Sequence, residues 1–205
     1  MNAIDSLSGT DHSAPFSGAN TSTPWLADAR EKRTRKLCSS LEEAIRRSGL
    51  KDGMTISFHH AFREGDKVIN DVVATLASLG FRELTLASSS LMSCNAPLIE
   101  PIRQRVITSV YTSGMRGKLA EAISNGLMEN PVHIHSHGGR VKLLQDGEIT
   151  IAVAFLAVPG WDEFGNARGT GSHSACGSLG YAMTDARYAR KVILLTEELL
   201  PYPNL

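Results

Sequence analysis

The chain lacks what would make it a disulfide scaffold, a zinc module or a membrane protein. Of its 205 residues three are cysteine: Cys38, Cys94 and Cys176. The number is odd and there is no CxxC pair, so they read as free thiols in a reducing compartment. No apolar run approaches the ~20 residues of a membrane span. The opening Met1-Asn2-Ala3-Ile4-Asp5 has neither the basic start nor the apolar centre of a secretory signal, and a cytoplasmic protein is expected. Lys plus Arg total 21 and Asp plus Glu total 21. That balance favours neither nucleic acid nor a membrane surface as a partner, although it leaves room for local basic patches. Also missing are the glycine fingerprint of dinucleotide binding, the phosphate-binding P-loop, the GxSxG elbow of serine hydrolases and any internal repeat.

What is present suits a globular α/β protein. At 42% hydrophobic and 20% charged, the chain can bury a core. Residues 1–28 are rich in Ser, Thr, Gly, Asn and Pro without periodicity, which predicts a mobile tail. Residues 29–205 are expected to form one domain. Arg30 to Arg47 is strongly basic, with Leu37, Leu41 and Ala44 at helical spacing and a candidate capping box in Ser40 and Glu43. A solvated helix face is the plainer reading; phosphate binding is the alternative.

From Asp52 onward, apolar runs alternate with amphipathic segments. Strands are predicted at Met54–Phe58, Glu83–Ala87, Val106–Tyr111, Val132–His135, Ile149–Val158 and Lys191–Thr196. Helices are predicted from Asp66, with Val68, Ile69, Val72, Val73, Leu76 and Leu79 on one face and Gly80 closing it. Others are expected near Asn95–Ile102, Lys118–Asn125 and Leu179–Arg190, with a helical turn at Val141–Leu144. Solid apolar strands separated by helices argue for a mostly parallel sheet covered on both faces.

Polar clusters recur at the predicted strand ends: His59-His60, Ser88-Ser89-Ser90, Ser113-Gly114 and His135-Ser136-His137-Gly138-Gly139. In a parallel sheet they share one edge, and that convergence is the main indication of a site. Substrate contacts are expected from His59, Ser88, Ser89, Ser90, Ser113, Gly114, Arg116, His135, His137, Gly138 and Gly139. Ser136 to Arg140 has the composition of an anion-binding nest, or of an ordinary glycine turn. His59, His60, His133, His135 and His137 lack carboxylate or thiolate neighbours at a familiar metal spacing. They are read as oriented hydrogen-bonding groups, and no metal site is expected. Arg63 and Arg116 follow strand ends and suit an acidic substrate, because a guanidinium fork matches a carboxylate. Asp162-Glu163 reads either as acid/base carboxylates or as a solvated turn.

Four stretches together carry a resemblance. Asp52-Gly53-Met54-Thr55-Ile56-Ser57-Phe58-His59-His60-Ala61-Phe62-Arg63-Glu64-Gly65-Asp66, Leu84 to Ser90, Val132 to Val141 and Asp162-Glu163-Phe164-Gly165-Asn166 resemble the α-subunit family of citrate lyase, the citrate CoA-transferases. The likeness runs from about Arg30 to the end. It extends to CoA-transferases at large, whose glycine-rich turn after the first strand is replaced here by His59-His60-Ala61-Phe62.

The resemblance implies a CoA-transferase-like α/β fold, the first of two tandem domains, and a chain inactive alone. It implies exchange of acetyl for citryl on a carrier thioester, turning acetyl-carrier and citrate into citryl-carrier and acetate. The implied partners are a β subunit that cleaves citryl-carrier to oxaloacetate and acetyl-carrier, and a γ subunit. The latter is an acyl carrier protein with a dephospho-CoA-derived prosthetic group, and the whole is an oligomer. No cofactor is expected bound covalently to this chain. His60 and Arg63 are the catalytic candidates. A CoA-transferase for another short-chain acid and a non-catalytic binding or assembly module are the alternatives.

Overall fold

The computed structural model describes residues 36–202 other than 60, 61, 63–65, 171, 172 and 178. The expected tail at 1–28 lies outside them. The elements below belong to the unit Leu37–Leu205.

The first helix, α1 (Leu41–Ser48), starts where its sequence says it should. The Ser40 hydroxyl accepts the Glu43 N–H, and the Glu43 carboxylate reaches back to the Ser39 N–H. The capping box is therefore displaced by one residue on its return bond. Those bonds to Ser39 hold the Glu43 carboxyl below its usual range. Strand β1 (Thr55–Phe58) leads to α2 (Val68–Ser78), whose Ile69, Val72, Val73 and Leu76 are buried. Each such side chain contributes roughly 1.5–3 kcal/mol by leaving water. Asp66 does not form the cap position itself. Lys67 does, and the Asp66 carboxylate accepts the Val68 N–H at 3.1 Å. Gly80, at φ 88°, ends α2 as expected. Phe81 N–H bonds Leu76 C=O and Gly80 N–H bonds Ala77 C=O, the paired bonds of a Schellman motif.

Next come β2 (Leu84–Ser88), a 3₁₀ segment (Ser93–Leu98), the short α3 (Ile99–Arg103) and β3 (Ile107–Thr112). Helix α4 (Gly117–Ser124) follows, then β4, which is only His133–Ile134. Helix α5 runs from His137 to Gln145. The predicted turn at Val141 is thus the second half of a helix, and the predicted nest is its first turn. Strand β5 (Val153–Ala157) is followed by a small antiparallel pair, β6 (Gly160–Trp161) and β7 (Ala167–Arg168). Helix α6 (Gly180–Tyr188) and β8 (Lys191–Leu195) complete the order.

Six strands form one parallel sheet in the order β4-β3-β2-β1-β5-β8. Side chains leave alternate faces of a strand, and β5 shows the result. Val153 and Phe155 join the core on one face; Ala154 and Leu156 join a smaller core on the other. Helices α1 to α4 supply Ile45, Val72, Val73, Leu76, Ile102 and Leu119 to the first face. Helices α5 and α6 supply Leu144 and Ala182 to the second. Both faces are covered, so the interior strands read as unbroken apolar runs.

Candidate functional site

The strand order changes direction at β1: β2 to β4 extend one way, β5 and β8 the other. Open α/β sheets bind ligands outside the carboxyl ends of strands at such a reversal. The register then says which residues meet there. Phe58 pairs with Ser88, Ala87 with Tyr111, and Thr112 with Ile134. One residue past those partners lie His59, Ser89, Ser113 and His135, a row along the carboxyl edge. Backbone bonds extend the ladder into this row: Ser89 N–H to Phe58 C=O at 3.1 Å, Ser113 N–H to Ser89 C=O at 3.0 Å, His135 N–H to Thr112 C=O at 3.1 Å. The polar strand ends of the sequence thus converge.

On the first face the row borders a tight cleft lined by Phe58, His59, Asp66, Ser88, Ser90 and Asn95. Phe58 stacks on Phe155 at 5.3 Å and forms its floor. The Ser88 hydroxyl donates to the Ser90 carbonyl at 3.1 Å. Asn95 is held from both ends, its Oδ1 accepting the Met92 N–H and its Nδ2 donating to Asn70. Asp66 is buried and its Oδ2 has no hydrogen-bond partner. Burial pushes its carboxyl pKa up, against the bonds it accepts from Val68 and Phe62. A carboxyl so placed takes up a proton more readily than a solvated one.

On the second face the structure reveals a buried ion pair. Arg140 on α5 and Asp185 on α6 make a two-pronged bridge, Nη1 to Oδ1 at 2.6 Å and Nη2 to Oδ2 at 2.9 Å, with both side chains at most 2% exposed. Ser57 of β1 donates to Asp185 at 2.8 Å. This fork-on-fork arrangement ties α5 and α6 to the central strand β1. Above it, Tyr181 stacks on His137 at 5.2 Å, and the Arg140 guanidinium lies 5.2 Å from the Tyr181 ring centre. Burial raises the Tyr181 pKa and lowers that of His135, the latter helped by the positive charges of Arg140 and His137.

The remaining expected residues divide. The Ser113 hydroxyl donates to the Ser89 carbonyl and lies 3.4 Å from the Ser90 hydroxyl. Gly114 forms the turn after β3, its carbonyl accepting the Thr112 hydroxyl at 2.9 Å. Arg116 is exposed at the start of α4. Gly138 and Gly139 are helical, not a nest: Gly139 N–H is taken by the Ser136 hydroxyl at 3.0 Å. A Cβ on Gly139 would meet that hydroxyl at 3.0 Å, which is why a small residue stands there. His60 and Arg63 lie outside the described residues. Asp162 is fully buried and closes its own turn, accepting from the backbone of Phe164 and Asn166 and the Asn166 side chain. It builds structure rather than acid/base chemistry. No group of three or more His, Cys, Asp or Glu suited to a metal occurs among the described residues. Nor does any described helix have the length and apolarity to cross a membrane.

Sequence reasoning missed Tyr181, Asp185 and the partnership of Ser57. A serine inside the apolar run Thr55-Ile56-Ser57-Phe58 was the available signal. Its partner is 128 positions away, a separation no spacing rule reaches.

Residues 34–205 match the family described as citrate lyase, alpha subunit (CitF). The chain belongs to the citrate lyase α-subunit family. It is 66% identical over 190 residues to the citrate lyase alpha chain of Klebsiella pneumoniae, covering 93% of this chain and 37% of that protein. Among solved structures it superposes with a TM-score of 0.82 at 52% identity on the citrate lyase α subunit of Streptococcus mutans, solved in complex with citrate. That match covers 83% of this chain and 33% of the other. Glutaconate coenzyme A-transferase of Acidaminococcus fermentans shares the fold alone, at TM-score 0.57 and 10% identity, over 78% of this chain and 67% of that one. The expected CoA-transferase-like α/β architecture is confirmed. The chain spans about a third of the citrate lyase α chains it matches.

Proposed function

We propose that this chain supplies one wall of the site at which citrate lyase exchanges acetyl for citryl on its carrier thioester. The observation that carries the reading is the row His59–Ser89–Ser113–His135 at the reversal of the sheet, in a chain similar to an α subunit solved with citrate.

The chemistry asks for what that edge holds. A citrate carboxylate oxygen attacks the acetyl thioester carbonyl carbon. The carbonyl electrons move onto oxygen and return as the C–S bond breaks, leaving a mixed anhydride and a carrier thiolate. The thiolate then attacks the citryl carbonyl, and acetate departs. Every atom comes from the two substrates, so the protein's part is to hold two anions in line and stabilise the transient oxyanion. Positioning is worth up to about 7–11 kcal/mol, and one preorganised donor to an oxyanion about 3–4 kcal/mol. His60 and Arg63 remain the proposed catalytic pair, Arg63 for a citrate carboxylate and His60 for the developing charge. The carrier arm is a dephospho-CoA-derived thioester on a γ subunit, and a β subunit performs the cleavage.

The test is a chromatographic transferase assay on reconstituted enzyme containing this sequence, with acetyl thioester as donor. Citrate is expected to serve as acceptor, and acetoacetate and propionate to fail. His60→Ala and Arg63→Ala should each lower turnover about 100-fold or more. Undiminished turnover in both would remove the assigned roles. Preference for propionate would replace the reading with a CoA-transferase for another short-chain acid.

A further inference from the structure

Two polar atoms on the second face of the sheet are shielded from solvent and have no hydrogen-bond partner: the Tyr181 hydroxyl and His135 Nε2. Buried polar groups are nearly always paired, so each such atom needs an explanation. Both belong to the carboxyl edge. His135 ends the row described above, and Tyr181 opens α6 beside Ser113. Ser113 is a polar neighbour of the phenol there, and its own hydroxyl proton goes to the Ser89 carbonyl.

The two atoms are chemically complementary. Nδ1 of His135 faces the Ser136 carbonyl at 3.3 Å. A carbonyl only accepts, so the ring proton sits on Nδ1 and Nε2 is left as an acceptor. Burial keeps the imidazole neutral to lower pH than usual, and keeps the phenol protonated to higher pH. Tyr181 therefore presents a donor. Its ring cannot swing to water without leaving the His137 stack and the Arg140 guanidinium, which Asp185 holds in place. Both terminal nitrogens of Arg140 are engaged by Asp185, so Arg140 lends positive charge to this edge while its bonds are spent elsewhere.

We propose that the Tyr181 hydroxyl and His135 Nε2 form a subsite that reads a hydroxy acid, Tyr181 donating to a carboxylate oxygen and His135 accepting the acid's own hydroxyl. The proposal rests on citrate being the substrate and says which protein atoms distinguish it from a plain tricarboxylate. A site built to bond a substrate hydroxyl rejects the analogue without it, because the buried acceptor is then left unpaired.

The experiment is isothermal titration of reconstituted enzyme containing this sequence with citrate and with tricarballylate, which has the same three carboxylates and a hydrogen in place of the hydroxyl. Citrate should bind more tightly by ~10-fold or more. Tyr181→Phe keeps the ring stack and should weaken both acids by a similar factor of about 10, leaving their ratio unchanged. His135→Leu should erase the preference for citrate. His135→Gln, whose amide oxygen is an acceptor, should restore part of it. Thermal melts of each variant confirm folding. Citrate binding with affinities and ratio unchanged in Tyr181→Phe and His135→Leu overturns the subsite alone. Absence of citrate binding by the unsubstituted reconstituted enzyme overturns the functional reading and the subsite with it.

Discussion

The two faces of the sheet are built on different principles. The first is closed by hydrocarbon: Ile45, Val72, Val73, Leu76, Leu98 and Leu119 pack on Ile56, Leu84, Leu86 and Val110. The second has a smaller apolar cluster and a buried Arg140–Asp185–Ser57 network at its centre. Apolar packing is tolerant of direction, whereas a two-pronged ion pair fixes two helices relative to one strand. The face held by directional bonds is the one whose helix starts carry His137 and Tyr181 to the carboxyl edge. Stability and orientation are thus supplied largely from opposite sides of one sheet.

The comparison can be broken most forcefully on the second face. Arg140→Met strips the fully buried Asp185 of its ion-pair partner and leaves it the Ser57 hydroxyl, which should cost about 3–5 kcal/mol in urea unfolding. The double variant Arg140→Met with Asp185→Leu should recover most of that stability, because a buried pair roughly breaks even against apolar packing. If the double variant also loses citrate binding, the network's role is orientation. Full retention of binding would show that it is not.

On the first face, Leu76→Ala should cost about 3 kcal/mol through lost transfer and an unfilled cavity. Fluorescence-monitored unfolding reads it, and citrate affinity should hold, since no directional bond is lost. Smaller again is Ser136→Ala, which removes the cap from Gly139 N–H and should cost about 1 kcal/mol. A loss below a few tenths of a kcal/mol would mean that the start of α5 is held by Arg140 rather than by its cap.

The last prediction concerns sign. Burial raises the Asp66 pKa above its unfolded value. Its contribution to stability is then full below the ordinary carboxylate range and is lost as pH rises through the raised value. Above that raised value the ionised group is a liability. Asp66→Asn, which keeps an acceptor for the Val68 N–H, should raise the melting temperature at pH 7. The difference should close as pH falls below the ordinary carboxylate range, where Asp66 is protonated both folded and unfolded. A melting temperature lowered at pH 7 would assign Asp66 an attractive partner in place of burial.

Much of this was legible in one dimension. The helical period through Val68, Val72, Val73 and Leu76, the glycine at Gly80, and the solid apolar run into β5 are local signals, set by side-chain spacing and backbone sterics. The clustering of His59, Ser88 to Ser90, Ser113 and His135 at one edge followed once the strands were taken as parallel, because parallel strands end together. The glycine pair at Gly138-Gly139 misled, since glycine reads as a turn. Here Ser136 caps a helix and a closely packed hydroxyl requires the small residue. The beginning of α5 was therefore missed by about one turn.

By itself, then, the amino-acid order determined element types, the parallel sheet and the family, all of which depend on period, composition and contiguous motifs. Only the tertiary structure decided that Arg140 finds Asp185, that Ser57 joins them, and that Tyr181 stands over His137. Those contacts link residues 44 to 128 positions apart. Their geometry comes from how two helices settle on one face of the sheet, and no local rule of spacing encodes that.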